Sequence, residues 1–463
     1  MKPPSVRPGP ERVPRAQLGP ERVPRARPLL DALKARATRQ GLSKGGAVTQ
    51  TLVVEARQRR RGVIWNALGS TLFAANTLMM IVVVSRTSSV ATVGCFGIAL
   101  AFAQLLFNIG VFGVSLFQMT DYQKQYTFSD YFWTRIGTCL LMMLVCVVIV
   151  VWGMSEPEKR LLTLLLTAFF LLHALGDLYQ GFFFQENRLD LSGQALFFRA
   201  LFALVAFTLV QFLTHDAALS LVAALVASVI SIAVWGVFRI KPSDRAPRHI
   251  DVTKISAVLK SCFPLFISSF LEVLLFNASR YGIDWLLDDT AQGYFSMIVL
   301  PALVIHLVSQ FIFKPALNDI ALALRSAAQR NLWFLLAKLA LAIVLLTIAA
   351  ALLMPTLGIM FLGVLYAVDL SGLSLQASLL IVGGGLFALN QLLHSVLVVM
   401  RRQTGILLAY SVGVAATLFI TTLAIMNQGL SGACVAFVLS QIPVLIIFTC
   451  VLTRRLKMKG VPT

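Results

Sequence analysis

The chain has 463 residues, 58% of them hydrophobic and 13% charged, with a mean hydropathy of +0.83. That balance excludes a water-soluble globular protein and points to a polytopic helical membrane protein. The net charge of +19 raises nucleic-acid binding, but its distribution argues against it. The Lys and Arg residues gather in residues 1–61 and in alternate connections between apolar runs, the pattern of membrane topology and anionic-lipid contact.

Residues 1–61 are basic, begin with a stretch rich in Pro, Arg and Gly, and carry a direct repeat, GPERVPRA, at 9–16 and again at 19–26. Such a segment cannot bury a core, so a disordered tail is expected. No apolar core with a cleavage site follows at signal-peptide distance. Arg57, Arg59, Arg60 and Arg61 stand directly before the first apolar run and suit an anchor on anionic lipid. A dispensable extension is the plainer reading of the rest.

Twelve candidate spans follow, at 62–84, 92–118, 132–153, 161–184, 194–214, 217–238, 258–287, 292–313, 332–354, 377–400, 405–427 and 430–452. Each can cross about 30 Å of hydrocarbon at about 1.5 Å per residue. The polar linker 241–257 separates an N-lobe of six spans (62–240) from a C-lobe of six (258–453), and a basic tail (454–463) ends the chain. The connections on the side of the termini hold most of the cations, including Lys124, Arg135, Arg188, Arg199, Arg401 and Arg402. The other side holds Arg86, Lys159, Arg160 and Arg280. The positive-inside rule therefore puts both termini in the cytoplasm of a plasma-membrane protein. Two halves that enter from the same side are parallel repeats. The longest outer connection, 355–376, has no cation and leaves no room for an extracellular catalytic domain.

The stretch 272–296, EVLLFNASRYGIDWLLDDTAQGYFS, has a weaker counterpart at 82–97, VVVSRTSSVATVGCFG. Both hold a Ser-Arg pair (Ser85-Arg86, Ser279-Arg280) and then a Gly-x-Phe (Gly94 to Phe96, Gly293 to Phe295). An internal duplication is expected, with one arginine from each half. Counted from Arg61 and Lys260, both arginines fall in the outer third of the bilayer. A forked guanidinium suits phosphate or pyrophosphate; snorkelling to headgroups is the plainer alternative.

Polar side chains inside spans are costly and normally face a protein interior or a watery path. Asn76, Gln104, Asn108, Gln310 and Asn390, with Arg86 and Arg280, are the candidates for a substrate cavity. Glu272 and His306 are the deepest titratable groups and, with Asp177, the candidates for ion coupling. His173 and Asp177, four apart, share a helix face and can satisfy each other; Arg280 and Asp284 have the same spacing. Pro264, Pro301, Pro315, Pro355, Pro443 and the run Gly383 to Gly385 read as bends or close helix packing. The six cysteines, among them Cys95 and Cys262, read as small buried hydrophobes, since no Cys-x-x-Cys occurs.

The sequence holds no G-x-x-x-x-G-K-[ST], no H-E-x-x-H and no G-x-S-x-G. ATP hydrolysis, a metal, a cofactor and enzymatic activity are therefore not expected. A transporter driven by an ion, potential or substrate gradient fits better.

From about residue 62 to 459 the chain resembles the polysaccharide-export flippases, O-antigen flippases included, of the multidrug/oligosaccharidyl-lipid/polysaccharide exporter superfamily. The first span GVIWNALGSTLFAANTLMMIVVVSR, the loop around FQMTDYQKQYTFSD, and RYGIDWLLDDTAQGYFS carry the resemblance. It implies an all-α, MATE-like fold, two six-helix lobes around a cavity open alternately to either side. It also implies undecaprenyl-pyrophosphate-linked oligosaccharide as substrate, and other polysaccharide-assembly membrane proteins as partners. Family cavities are cationic, and Arg86 and Arg280 match them in kind. A cation-coupled drug extruder of the same superfamily is the alternative, and a membrane-embedded polysaccharide polymerase a further one.

Overall fold

The computed structural model describes residues 45–121, 123–240, 250–325 and 329–459. The residue 1–44 part of the expected tail, with its repeat, lies outside them, as do 241–249 of the linker and 460–463 of the basic end. The chain divides into a unit Met1–Arg60 and a unit Arg61–Thr463. In the first, the described residues are helical from Gly45. In the second, the described secondary structure is entirely helical.

The helices are α1 (Gly45–Thr87), α2 (Val90–Val111), α3 (Val114–Thr120), α4 (Phe128–Gly153), α5 (Pro157–Gln185), α6 (Leu189–Thr214) and α7 (Ala217–Trp235). The second half supplies α8 (Val252–Leu286), α9 (Asp289–Ile298), α10 (Leu300–Phe313), α11 (Leu317–Arg325), α12 (Gln329–Leu353), α13 (Ile359–Tyr366), α14 (Ser374–Val399) and α15 (Gln403–Lys459). Residues 45–61, part of the tail expected from sequence, are helical. AVTQTLVVEARQRRR contains no Gly or Pro, and its Ala, Leu, Glu, Gln and Arg residues favour a helix.

Eleven helical stretches among the described residues are long and apolar enough to cross a membrane. The last, Gln403–Arg454, has 52 residues, about 78 Å of straight helix, more than twice the hydrocarbon thickness. It turns back at Gly429 (φ 56, ψ −130), and Gly432 packs against the backbone of Ala424 and Ile425. Counting its two arms gives twelve crossings. The chain is a multi-pass membrane protein with side chains such as Leu140, Leu144, Phe334 and Leu352 outward.

Successive turns alternate between two ends. One end, the basic end, holds Lys124, Arg188, Arg239, Arg401 and Arg402. The opposite end holds Glu156, Asp216, Asp288, Asp289 and Asp369. Its short turns also start helices: Ser89 accepts from the Thr92 N–H at 3.2 Å, Asp216 from Ala218 and Leu219, and Asp288 from Ala291. Each such cap contributes about 1 kcal/mol. Asp369 is held below the usual carboxylate range by the Ser371 backbone N–H and hydroxyl.

The connection 355–376 is not an open loop. After a π-turn at Met354–Gly358 the chain forms α13, which buries Leu362 and Tyr366 in the apolar cluster that also holds Phe96, Ile283 and Ile298. Pro355 removes a backbone donor within this π-turn, and the helix continues through it to Tyr366.

Candidate functional site: a cavity between the two halves

A cavity of about 360 Å³ lies between the halves. Its walls come from the first, second and fourth spans (Phe73, Thr77, Gln104, Asn108, Phe170) and from the seventh, eighth and tenth (Glu272, Arg280, His306, Phe387). Those are matching spans of the two halves, as a duplication requires. Phenylalanines form much of the wall, and the polar groups stand at separate points on it.

Arg280 is the cation of this cavity wall. It is 3% exposed, and its Nη1 donates to Asn277 Oδ1 at 3.0 Å. Asp284, expected as its partner, instead faces Lys159 at 3.1 Å. Arg280 lies in the outer part of its helix, as expected. Helix α8 starts at Val252 rather than near Lys260 and continues to Leu286, so Arg280 sits about 9 Å short of its end.

Glu272 lines the cavity two turns away along α8, about 12 Å toward the basic end. Its carboxylate accepts from the Gln391 amide and from the Tyr410 hydroxyl at 3.2 Å, and His394 Nδ1 stands 3.6 Å away. His306 also lines the cavity, its ring tilted against Phe387 and bonded through Nε2 to Gln310 at 2.7 Å. Gln104 and Asn108 face the cavity as expected, with the Asn108 amide donating to the Gln104 carbonyl at 3.0 Å.

Four of the expected cavity residues do other work, Gln310 by bonding the His306 ring from behind the wall. Asn76 is buried against the Ala200 carbonyl, and Asn390 against the Gln441 backbone and amide oxygens; both tie helices together within one half. Arg86 is at the opposite end, outside the cavity wall. Its Nε and Nη2 donate to the carbonyls of Leu365 (2.8 Å) and Val364 (2.5 Å), the last turn of α13.

The two Ser-Arg pairs are consequently not equivalent. The halves meet where α2 crosses α9: Gly94 packs on the backbone of Asp289, and Gly293 on that of Val90. This reciprocal contact sets the register of the repeat. Gly94 corresponds to Gly293 and Val90 to Asp289, which makes the Gly-x-Phe pair a true repeat. At that register Arg280 corresponds to Ile81, which also lines the cavity, and Arg86 to Trp285.

Asp177 lies in the N-terminal half, away from the cavity. It takes the Ser115 hydroxyl and lies 3.5 Å from Arg135 Nη2. His173 does not pair with it but accepts from Arg199 Nε at 3.2 Å. Arg135 and Arg199, loop cations by the sequence pattern, are both buried within helices. Arg135 serves the break in the second span, where Phe112 and Gly113 adopt left-handed φ of 48° and 70°. The break frees the Gly110 carbonyl, which takes Arg135 Nη1 at 2.7 Å and the Thr138 hydroxyl at 2.8 Å. The sequence reading missed these roles, along with Tyr410 and Lys159. The signal available was the positions of Arg135 and Arg199, 7 and 10 residues into apolar helices.

The model of a family described as "Polysaccharide biosynthesis protein" matches residues 60–318. No curated protein matches the chain. Among solved structures, the lipid II flippase MurJ in an inward closed conformation is 11% identical, with 84% of this chain and 87% of that one covered at a TM-score of 0.66. An inward-facing multidrug resistance MATE family transporter of the MOP superfamily is 13% identical over 86% of this chain and 100% of that one, at 0.63. A MOP superfamily transporter from Pyrococcus furiosus, described by the reverse polarity of its binding pocket, is 12% identical over 88% and 97%, at 0.55. Likeness at such identities shows the fold. With more than half of its length matched by the family model, the chain belongs to the polysaccharide biosynthesis protein family and has the all-helical fold shared by MATE transporters and MurJ.

Proposed function

We propose that this protein carries an undecaprenyl-pyrophosphate-linked oligosaccharide repeat unit across the plasma membrane by alternating access, from a cytoplasmic basic end to the opposite face. The observation that carries the reading is Arg280. It is buried in the wall of a cavity between the halves, and its side chain donates to the neutral Asn277. A buried cation without a carboxylate favours an anionic ligand, and a guanidinium fork fits pyrophosphate oxygens. Gln104, Asn108 and Thr77 offer further polar contacts to a sugar next to the phosphates. A cavity of about 360 Å³ is at the small end for ligand sites. It suits a headgroup rather than a whole repeat unit, so the halves must part to let the glycan through. Glu272 and His306 are proposed to couple the movement to an ion. The basic tails are proposed to lie on anionic lipid, and other polysaccharide-assembly membrane proteins are proposed as partners.

Arg280→Gln is expected to abolish surface polysaccharide and build up lipid-linked repeat units on the cytoplasmic leaflet, with Arg280→Lys retaining part of the activity. Extraction and quantification of the lipid-linked intermediate checks this. Unchanged surface polysaccharide and no intermediate after deletion of the whole gene would refute the assignment. Drug extrusion is the second reading, favoured by the single acid Glu272 on the cavity wall. It requires that Glu272→Ala abolish resistance to a cationic drug. That acid is already engaged by Gln391 and Tyr410, which supports the anionic-substrate reading over it.

A further inference from the structure

The two halves meet at two seams of different chemistry. At the basic end the seam is apolar. Phe112 stacks on Phe266 at 4.2 Å, and Val258 and Cys262 are buried against Val114 and Tyr131. Lys254 stands 3.8 Å from Asp130 at its edge. At the opposite end there is little side-chain surface to bury, because Gly94 and Gly97 of α2 lie directly on Asp289, Gly293 and Ser296 of α9. Two cations bridge the halves there. Lys159, at the start of α5, lies 3.1 Å from Asp284 and 2.6 Å from Asp289, and 3.3 Å from its own Glu156. Its side chain is only 12% exposed, and those of Asp284 and Asp289 are 22% and 20%. These pairs are therefore less screened than surface ion pairs. Arg86 of α1 reaches the last carbonyls of α13 in the other half. Carbonyls in the last turn of a helix lack intrahelical partners and carry the negative end of the dipole, so Arg86 caps α13 across the seam.

We propose that Lys159 and Arg86 form a lock that holds the cavity shut at the end opposite the basic termini, and that releasing the lock opens that end by parting α2 from α9 and lifting α13. The proposal rests on the alternating-access reading above and assigns how one side of that cavity is gated. Lys159 neutralises two aspartates of the other half. Without it Glu156 of one half faces Asp289 of the other as like charges within 4.8 Å across a half-dry seam, which favours separation. The Lys159 ammonium also fills the space that Cys95, Glu156 and Asp289 would otherwise offer a metal ion, so the cluster is a clasp.

Two native cysteines report on the two seams. Cys95 is buried at the α2–α9 crossing, its thiol 3.3 Å from Asp289, and Cys262 is buried in the apolar seam. The test uses the full chain in lipid nanodiscs, labelled with a hydrophilic maleimide, with each cysteine quantified by peptide mass spectrometry. In Lys159→Gln/Arg86→Gln, Cys95 is expected to label several-fold faster than in the parent protein, while Cys262 stays as protected as before. The charge exchange Lys159→Asp with Asp289→Lys is expected to restore protection of Cys95, because it rebuilds an ion pair across the seam. An unchanged Cys95 rate overturns the proposal. A parallel rise at Cys95 and Cys262 overturns it too, since that reports loss of the fold rather than opening of one end. The labelling needs no substrate. If Cys95 responds as expected while deletion of the whole gene leaves surface polysaccharide unchanged and builds up no intermediate, the lock stands and the transport assignment fails.

Discussion

A buried arginine has different consequences depending on what stands beside it. Arg280 has an amide oxygen and a cavity, which leaves donors for a ligand. Arg135 has both Nη atoms engaged by Gly110, Ser115 and Asp177, which makes it a structural tie. Arg135→Ala is expected to cost about 3 kcal/mol, the usual penalty for breaking a buried charge pair from one side. Thermal unfolding in detergent, followed by helix signal, checks it. Arg135→Lys is expected to recover little, since one ammonium cannot reach both the Gly110 carbonyl and Ser115 as the fork does. These two arginines look alike in the sequence; each is an isolated cation near apolar residues. The neighbours that separate them, Asp177 for one and Asn277 for the other, differ in that Asp177 comes from another helix.

Helices end and bend where the backbone leaves no other choice. Gly429 turns the last two spans back on each other at φ 56, ψ −130, a region that a residue with a Cβ occupies only at a cost of about 1–3 kcal/mol. A Cβ there would meet nothing within 4 Å, and the same is true at Gly372. Space is thus equal at the two sites and backbone conformation differs. Gly429→Ala is expected to destabilise the protein, and Gly372→Ala to change stability by less than about 0.5 kcal/mol; paired thermal melts compare them. The break in the second span works in another way, through the left-handed Phe112 and Gly113. It throws Phe112 against Phe266 of the other half and so builds the apolar seam.

At the scale of the whole molecule, the charge asymmetry between the two ends predicts orientation. A fluorescent protein fused to the C-terminus is expected to fluoresce, and an alkaline phosphatase in the same place to be inactive. The phosphatase inserted in the turn after α13 is expected to be active. The reverse pattern would turn the molecule over and with it the direction of transport. Removing Arg135 and Arg199 from the loop cations weakens the bias without reversing it, because Lys124, Arg188, Arg239, Arg401 and Arg402 remain at the basic end.

Hydrophobic run length fixed the span count, and the bilayer imposes it. A backbone crossing hydrocarbon must satisfy its own hydrogen bonds, so each apolar run of about 20 residues becomes a helix whatever its neighbours are. The two halves, their like orientation and the Gly-x-Phe repeat were legible for the same reason. Glu272, Arg280, His306, Gln104 and Asn108 were legible as intramembrane polar groups, and all five line the cavity. The tertiary structure decided which polar groups share that cavity and which tie helices together, as Asn76 and Asn390 do. It also decided that Arg86 caps a helix of the opposite half, that Lys159 joins the halves, and that the chain after Pro355 continues as helix and buries Leu362 and Tyr366. None of these follows from hydropathy, because each depends on the rotation and depth of one helix against another. Those are set by where glycines allow backbones to touch, as at Gly94 and Gly293.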